Sequence, residues 1–253
     1  MPHENSAQME HTLHRLRGGG MQAELFERFE GTLRNALQNS PDPNRLLINL
    51  DRWLESLGNR LTYYRLFAES PRLLEPLLTL MDSSQYMADA LIQNPELGEI
   101  LLDPKLLYRR RTKSELQREL GRLLKPCSTY WMRLDRLRLF KYQELVRITA
   151  LDVMGKLSLP EVARQLSDLA DVCIQGALES ADTELRAQYP MEGALPLVVL
   201  AMGKLGGREL NYSSDIDLVF LCADQPNFRG AREPIAYLTR LCETVVKALS
   251  EPM

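Results

Sequence analysis

Leu195–Cys222 reads LPLVVLAMGKLGGRELNYSSDIDLVFLC, and this stretch decides the fold class of the chain. The run Leu197 to Met202 is short, apolar and bounded by Pro196 and Gly203, which predicts a buried strand rather than a helix. Gly203, Gly206 and Gly207 come next; without side chains they let the backbone turn tightly and pass close to a bulky anion such as phosphate. Beyond a polar link, Asp215 and Asp217 alternate with Ile216, Leu218 and Phe220. The spacing predicts a second strand with both carboxylates on one face and the three apolar residues on the other.

Two like charges roughly 5 Å apart repel by about 3 kcal/mol at an effective dielectric of about 20. Such a pair needs a cation, a shared proton or full solvation. Carboxylates on a rigid strand beside a glycine turn are hard oxygen ligands suited to magnesium or manganese, with nucleotide phosphates completing the coordination. That combination points to metal-assisted phosphoryl or nucleotidyl transfer. An isolated Asp-x-Asp is also what a solvated strand end looks like, and the glycine turn with its preceding apolar strand is what favours a site. Other phosphate motifs do not fit. A Walker A loop needs Gly-Lys followed by Ser or Thr, whereas Lys204 is followed by Leu205, and no G-x-G-x-x-G occurs.

The string GKLGGRELNYSSDIDL, residues 203–218, closely resembles the signature of the bacterial glutamine synthetase adenylyltransferase and adenylyl-removing family. The segment LFKYQELVRI, residues 139–148, is more loosely similar to the helix that precedes the transferase domain in that family. The family belongs to the nucleotidyltransferases related to DNA polymerase beta and carries two such domains. One attaches AMP to a tyrosine of glutamine synthetase and the other removes it by phosphorolysis; the wording of the signature resembles the first, adenylyl-removing half. The resemblance implies that Asp215 and Asp217 bind Mg2+ or Mn2+, and that Gly203, Lys204, Gly206 and Gly207 with Ser213 and Ser214 hold the phosphates of ATP or ADP. Lys204 and Arg208 either assist anion binding or make surface pairs. Glutamine synthetase and the PII signalling protein are the partners it implies. The family's third carboxylate lies on a later strand, and Met253 precedes that point, so a weakly active or inactive fragment is expected.

Composition sets outer bounds. A chain of 253 residues buries roughly 70–75% of its unfolded surface without staples. The net charge of −3 argues against a dedicated nucleic-acid binder. Cys127, Cys173, Cys222 and Cys242 share no C-x-x-C spacing, so neither a zinc site nor a disulfide framework is suggested and a reduced, cytoplasmic setting is expected. No apolar run approaches a membrane span, and the N-terminus lacks a signal-peptide core.

The expected architecture is α+β: a flexible leader over 1–20 that carries His3, His11 and His14, a mostly helical region over 21–190, and over 191–253 the start of a polymerase-beta-like nucleotidyltransferase domain. Phe26, Phe29, Leu33 and Leu37 recur at helical spacing, and Asp42-Pro43 predicts the cap of a second helix. Pro71, Pro95 and Pro104 punctuate an array of short helices in which Tyr63, Tyr64, Phe67 and Tyr86 are read as packing residues. Arg109–Arg111 reads as a solvated corner rather than a phosphate site, and Glu144 with Arg147 as a surface pair. Val162, Leu166, Leu169, Cys173 and Leu185 mark the inner stripe of a long helix after Ser158. A polar loop is expected over Ala223 to Gly230 and a helix from Pro234 to Leu249. The competing reading is a helical interaction module whose degenerate transferase remnant docks on glutamine synthetase or a signalling protein.

Overall fold

The computed structural model describes residues 2–189, 193–222 and 234–250. The chain divides into two units, Met1–Arg109 with Val146–Leu157, and Arg110–Leu145 with Ser158–Met253. The helical region expected as one domain over 21–190 is therefore shared between them. The polar loop expected over Ala223 to Gly230 lies outside the described residues.

In the first unit, α1 (Pro2–Arg17) stands where a flexible leader was expected. Leu13 and Leu16 are buried, and the Leu16 carbonyl accepts from Tyr64 Oη at 2.6 Å and from Gln22 Nε2 at 2.8 Å. Arg15 pairs with Asp51, whose buried side chain also meets Arg60 at 3.3 Å. This helix hides in the sequence because its few apolar residues sit at the far end of a polar run. His11 and His14 on it are exposed.

α2 (Met21–Asn39) buries the predicted stripe of Phe26, Phe29, Leu33 and Leu37. α3 (Pro43–Ser56) begins where Asp42-Pro43 predicts, and Asp42 accepts from the Arg45 N–H at 3.1 Å, a cap contributing about 1 kcal/mol. The short helices α4 (Arg60–Glu69), α5 (Leu74–Ser83), α6 (Gln85–Gln93), α7 (Gly98–Leu102) and α8 (Pro104–Leu107) follow. Pro71 and Pro95 open 3-10 turns ahead of α5 and α7, since proline is tolerated where no helical N–H is needed. Phe29 meets Phe26, Tyr64 and Phe67 edge-on at 5.2, 5.3 and 5.7 Å between ring centres. Tyr86 departs from its expected packing role, being 59% exposed.

In the second unit, α9 (Lys113–Leu124) opens on a capping box between Thr112 and Glu115. α10 (Tyr130–Val153), whose residues up to Leu145 belong to this unit, carries Leu134, Leu137 and Phe140 into the core. α11 (Leu159–Gln188) starts where Glu161 accepts from both the N–H and the hydroxyl of Ser158, at 2.9 and 2.7 Å. It buries Val162, Leu166, Leu169, Cys173 and Leu185, as its periodicity predicts, and packs against α9.

Two expectations about charge are corrected here. Arg111 is not a solvated corner: its side chain is only 9% exposed, and it pairs with Glu144 at 2.6 Å and Glu119 at 3.1 Å. Glu144 and Arg147, read as a surface pair, are both 3% exposed. Charges this deep persist only when paired.

β1 (Leu197–Ala201) and β2 (Leu218–Cys222) form an antiparallel pair in the register Leu197 with Cys222 through Ala201 with Leu218. The one-turn helix α12 (Gly203–Gly206) follows β1. α13 (Pro234–Ser250) buries Leu238, Leu241 and Val245 and lies against α11. The molecule is thus mostly helical α+β with a two-stranded sheet among the described residues.

Candidate functional site

The bend after β1 is shaped by what two of its glycines must avoid. Gly203 has φ +55°, and a Cβ there would sit 2.9 Å from Oδ2 of Asp217. At Gly206 a Cβ would sit 2.5 Å from the Ala201 carbonyl oxygen, closer than real side chains approach. Gly207 is different: its φ of −78° is ordinary and its nearest would-be contact is 3.6 Å away. Hydrogen bonds from the N–H groups of Gly206, Gly207, Arg208 and Glu209 to the carbonyls of Met202, Gly203, Leu205 and Lys204 close the bend at 2.8–3.0 Å.

The two aspartates precede β2 rather than lying in it, which corrects the expectation that both sit on a strand. Asp215 and Asp217 fall outside the ladder, which ends at Ala201 with Leu218. One further bond, from the Met202 N–H to the Asp217 carbonyl at 2.8 Å, ties Asp217 to the start of the bend. The predicted alternation survives without the ladder: Asp215 and Asp217 are exposed, while Ile216, Leu218 and Phe220 are half-buried. The carboxylate of Asp217 therefore lies over Gly203, with Asp215 two residues upstream on the same exposed side of the alternation.

Ser213 and Ser214 belong to a tight local turn. The Asn211 side-chain oxygen accepts from the Ser213 N–H at 3.1 Å and from the Ser214 hydroxyl at 2.7 Å, the geometry by which asparagine builds turns. Ser214 and Asp215 line a cavity of about 510 Å³, with Arg138 and Lys141 of α10 also on its wall and Leu166, Leu169 and Cys173 of α11 among its apolar residues. Burial pushes the Cys173 thiol up to about 12, so it stays protonated at neutral pH. Lys204 is exposed, and Leu205 and Leu210 anchor the bend in the core.

Sequence reasoning left Arg208 open between anion binding and pairing. Its guanidinium pairs with Asp168 on α11 and reaches Asp171 at 3.3 Å, and Asp171 also holds Lys113 Nζ at 2.5 Å. Asp168 and Asp171 were missed as parts of the site. Their i, i+3 spacing puts them on one face of α11, but nothing in the sequence says that this face meets the bend.

A divalent cation suits the donor chemistry of the pair, which supplies two exposed, hard carboxylates beside a side-chain-free backbone. Among the described residues no group of three or more His, Cys, Asp or Glu side chains is arranged to hold a metal ion.

The family model described as glutamate-ammonia ligase adenylyltransferase matches residues 74–253. Curated relatives are each named bifunctional glutamine synthetase adenylyltransferase/adenylyl-removing enzyme. The one from Thioalkalivibrio sulfidiphilus is 33% identical over 210 residues, 78% of this chain and 21% of the relative. Those from Brucella melitensis and Agrobacterium fabrum are 30% and 29% identical over 81% and 87% of this chain, covering 22% and 23% of their own lengths. The chain spans about a fifth of the length of the relatives it matches.

Proposed function

The chain belongs to the glutamate-ammonia ligase adenylyltransferase family, and from that premise we propose that it carries a metal-dependent nucleotidyl-transfer site controlling glutamine synthetase through AMP on a tyrosine. The observation that carries this reading is the Asp217 carboxylate standing over Gly203, with Asp215 two residues upstream and likewise exposed, inside the segment that the family model matches. The site is read as the start of a polymerase-beta-like transferase domain, acting in the adenylyl-removing direction.

In this reading Asp215 and Asp217 hold Mg2+ or Mn2+, which when bound neutralises charge on the reacting phosphate. The glycine bend lets backbone approach the phosphates of ADP or ATP, Ser213 presents its hydroxyl to them, and Ser214 does so on giving up its hydrogen bond to Asn211. Lys204, exposed on the bend, supplies positive charge. An oxygen of inorganic phosphate attacks the phosphorus of the AMP–tyrosine linkage, the P–O bond to tyrosine breaks, the phenol takes a proton, and ADP leaves. Adenylylation is the other direction of nucleotidyl transfer, with ATP as donor. Glutamine synthetase is the protein substrate and the PII signalling protein the effector partner. No helix among the described residues is long and apolar enough to cross a membrane.

The test is ADP formation from adenylylated glutamine synthetase in phosphate and Mg2+, alongside Mn2+ binding followed by the loss of the free-ion resonance signal. Asp215→Ala and Asp217→Ala are expected to abolish both while leaving the helical circular dichroism unchanged. Wild-type Mn2+ binding by both variants would overturn the assignment. A second reading, a helical module that docks on glutamine synthetase, predicts glutamine synthetase binding that is indifferent to both substitutions.

A further inference from the structure

We propose that Arg208 is a positioning residue: held by Asp168 and Asp171 of α11, it fixes the glycine bend in the conformation that keeps Gly203 under Asp217, and it does not itself bind the substrate anion. The proposal rests on the functional reading above for what the bend serves, but the device itself is a matter of geometry.

Arg208 has φ +58°, and no other described non-glycine residue has a positive φ. A side chain in that region is strained and persists only where its surroundings over-determine it. The surroundings here can be named. The N–H of Arg208 donates to the Leu205 carbonyl at 3.0 Å, and the next N–H, of Glu209, reaches back to Lys204 at 2.8 Å. Leu205 and Leu210, on either side of Arg208, are buried. The side chain, leaving the backbone in this unusual direction, ends on two carboxylates one helical turn apart.

The charges close within the cluster. Asp168 and Asp171 bring two negative charges, and Arg208 and Lys113 two positive ones, with Asp171 shared between the cations. A guanidinium that donates to two carboxylates in this way is aimed at α11 through two of its donors. The hydrogen bond to Asp168 holds the Arg208 pKa above its ordinary value. An arginine meant for a phosphate would instead need an unspent charge facing the exposed side, where Asp215 and Asp217 stand. The strap also acts at the right place: the bonds that close the bend begin at Gly206 and end at Glu209, so Arg208 sits in its last turn.

The test uses the chain as it stands, with Mn2+ and ADP as the probe, and compares Arg208→Ala, Arg208→Lys and the double variant Asp168→Asn/Asp171→Asn. Manganese–ADP affinity and amide hydrogen exchange at residues 206–209 are both measured. The proposal expects Arg208→Ala and the double variant each to weaken affinity about tenfold, the triple combination to be no worse than either, and Arg208→Lys to recover part of the loss. Exchange at 206–209 should quicken about tenfold in the same variants while the amides at the centre of α11 keep their protection. An anion-binding arginine predicts the opposite sign for the double variant, whose freed guanidinium would hold ADP as well as before or better; that result overturns the proposal. If the wild-type chain binds no manganese–ADP, the functional reading fails separately and exchange alone decides. Faster exchange in both variants then supports the strap, and unchanged exchange refutes it.

Discussion

Replacing Gly206 with alanine is expected to cost the unit that holds the sheet about 1–2 kcal/mol, whereas the same change at Gly207 should cost nothing or stabilise slightly. The difference follows from what each new methyl would meet. At Gly206 it would lie 2.5 Å from the Ala201 carbonyl oxygen and 3.2 Å from its carbon. Carbon–oxygen contacts settle at roughly 3.3 Å or more, so either β1 or α12 must give way by most of an ångström. Neither is free to do so cheaply. Ala201 is held in the ladder opposite Leu218, and the Gly206 N–H is bonded to Met202 at 3.0 Å. Overpacking of this kind costs about 1–3 kcal/mol, offset by up to about 1 kcal/mol from alanine's better helix propensity. At Gly207 the nearest atoms are 3.6 and 3.8 Å away and φ is −78°, so only the propensity gain remains. Thermal unfolding should show the Gly206 variant lower by about 2–8 °C. Exchange of the Leu197–Ala201 amides is the decisive local probe, since it reports opening of β1 itself. Equal midpoints for the two variants, together with equal protection of β1, would refute this account of the bend.

Three further outcomes are expected. Leu16→Ala should destabilise the first unit by about 2–5 kcal/mol in urea unfolding, because Leu16 is 1% exposed; a change under about 0.5 kcal/mol would mean that the N-terminal segment is not packed. Arg111→Met should cost about 1–3 kcal/mol in the same assay by removing a charge-assisted hydrogen bond from the buried Glu144, and a near-neutral result would show the pair to be solvated. The third concerns alkaline pH. The Cys173 thiol has an ordinary value of 9.0 and is pushed up to about 12 by burial, so between these values the unfolded chain has lost a proton that the folded chain keeps. Stability from this group is fully present below pH 9 and falls by about 1.4 kcal/mol per unit above it. Unfolding free energies of wild type and Cys173→Ala should therefore converge as pH rises from 9 to 10.5, by about 2 kcal/mol; parallel curves would place the thiol in contact with water.

Periodicity and punctuation made most helices legible. The stripe on α2, the Asp42-Pro43 start of α3 and the long inner face of α11 follow from spacing alone, because burial of one face is what those helices are for. Reading failed where a tertiary contact decides. Leu13 and Leu16 carry too little apolar area to announce α1, and the hydrogen bond from Tyr64 that helps fasten its end comes from 48 residues away. Arg111 and Glu144 look like surface charges because charge is usually solvated; their burial depends on each other across 33 residues. The strand read over the aspartates shows a subtler failure. The alternation of Asp215, Ile216, Asp217 and Leu218 is real in exposure, yet alternation needs only an extended chain, and the ladder starts at Leu218.

The residues of the bend fall into two classes once their surroundings are known. Gly203 and Gly206 are dictated by close approach, Leu205 and Leu210 by burial, and Arg208 by its two carboxylates, so the fold itself explains them. Asp215 and Asp217 are exposed. Their side chains fill no core. An exposed pair of carboxylates that the fold does not need is what a hard cation would use. A fold-only account predicts that replacing both aspartates with asparagine leaves stability unchanged or slightly raised, with or without Mg2+. The cation account predicts the slight rise without metal and its reversal as Mg2+ is added, since only the wild-type chain gains from binding. A titration of unfolding free energy against Mg2+ separates the two without any assay of turnover.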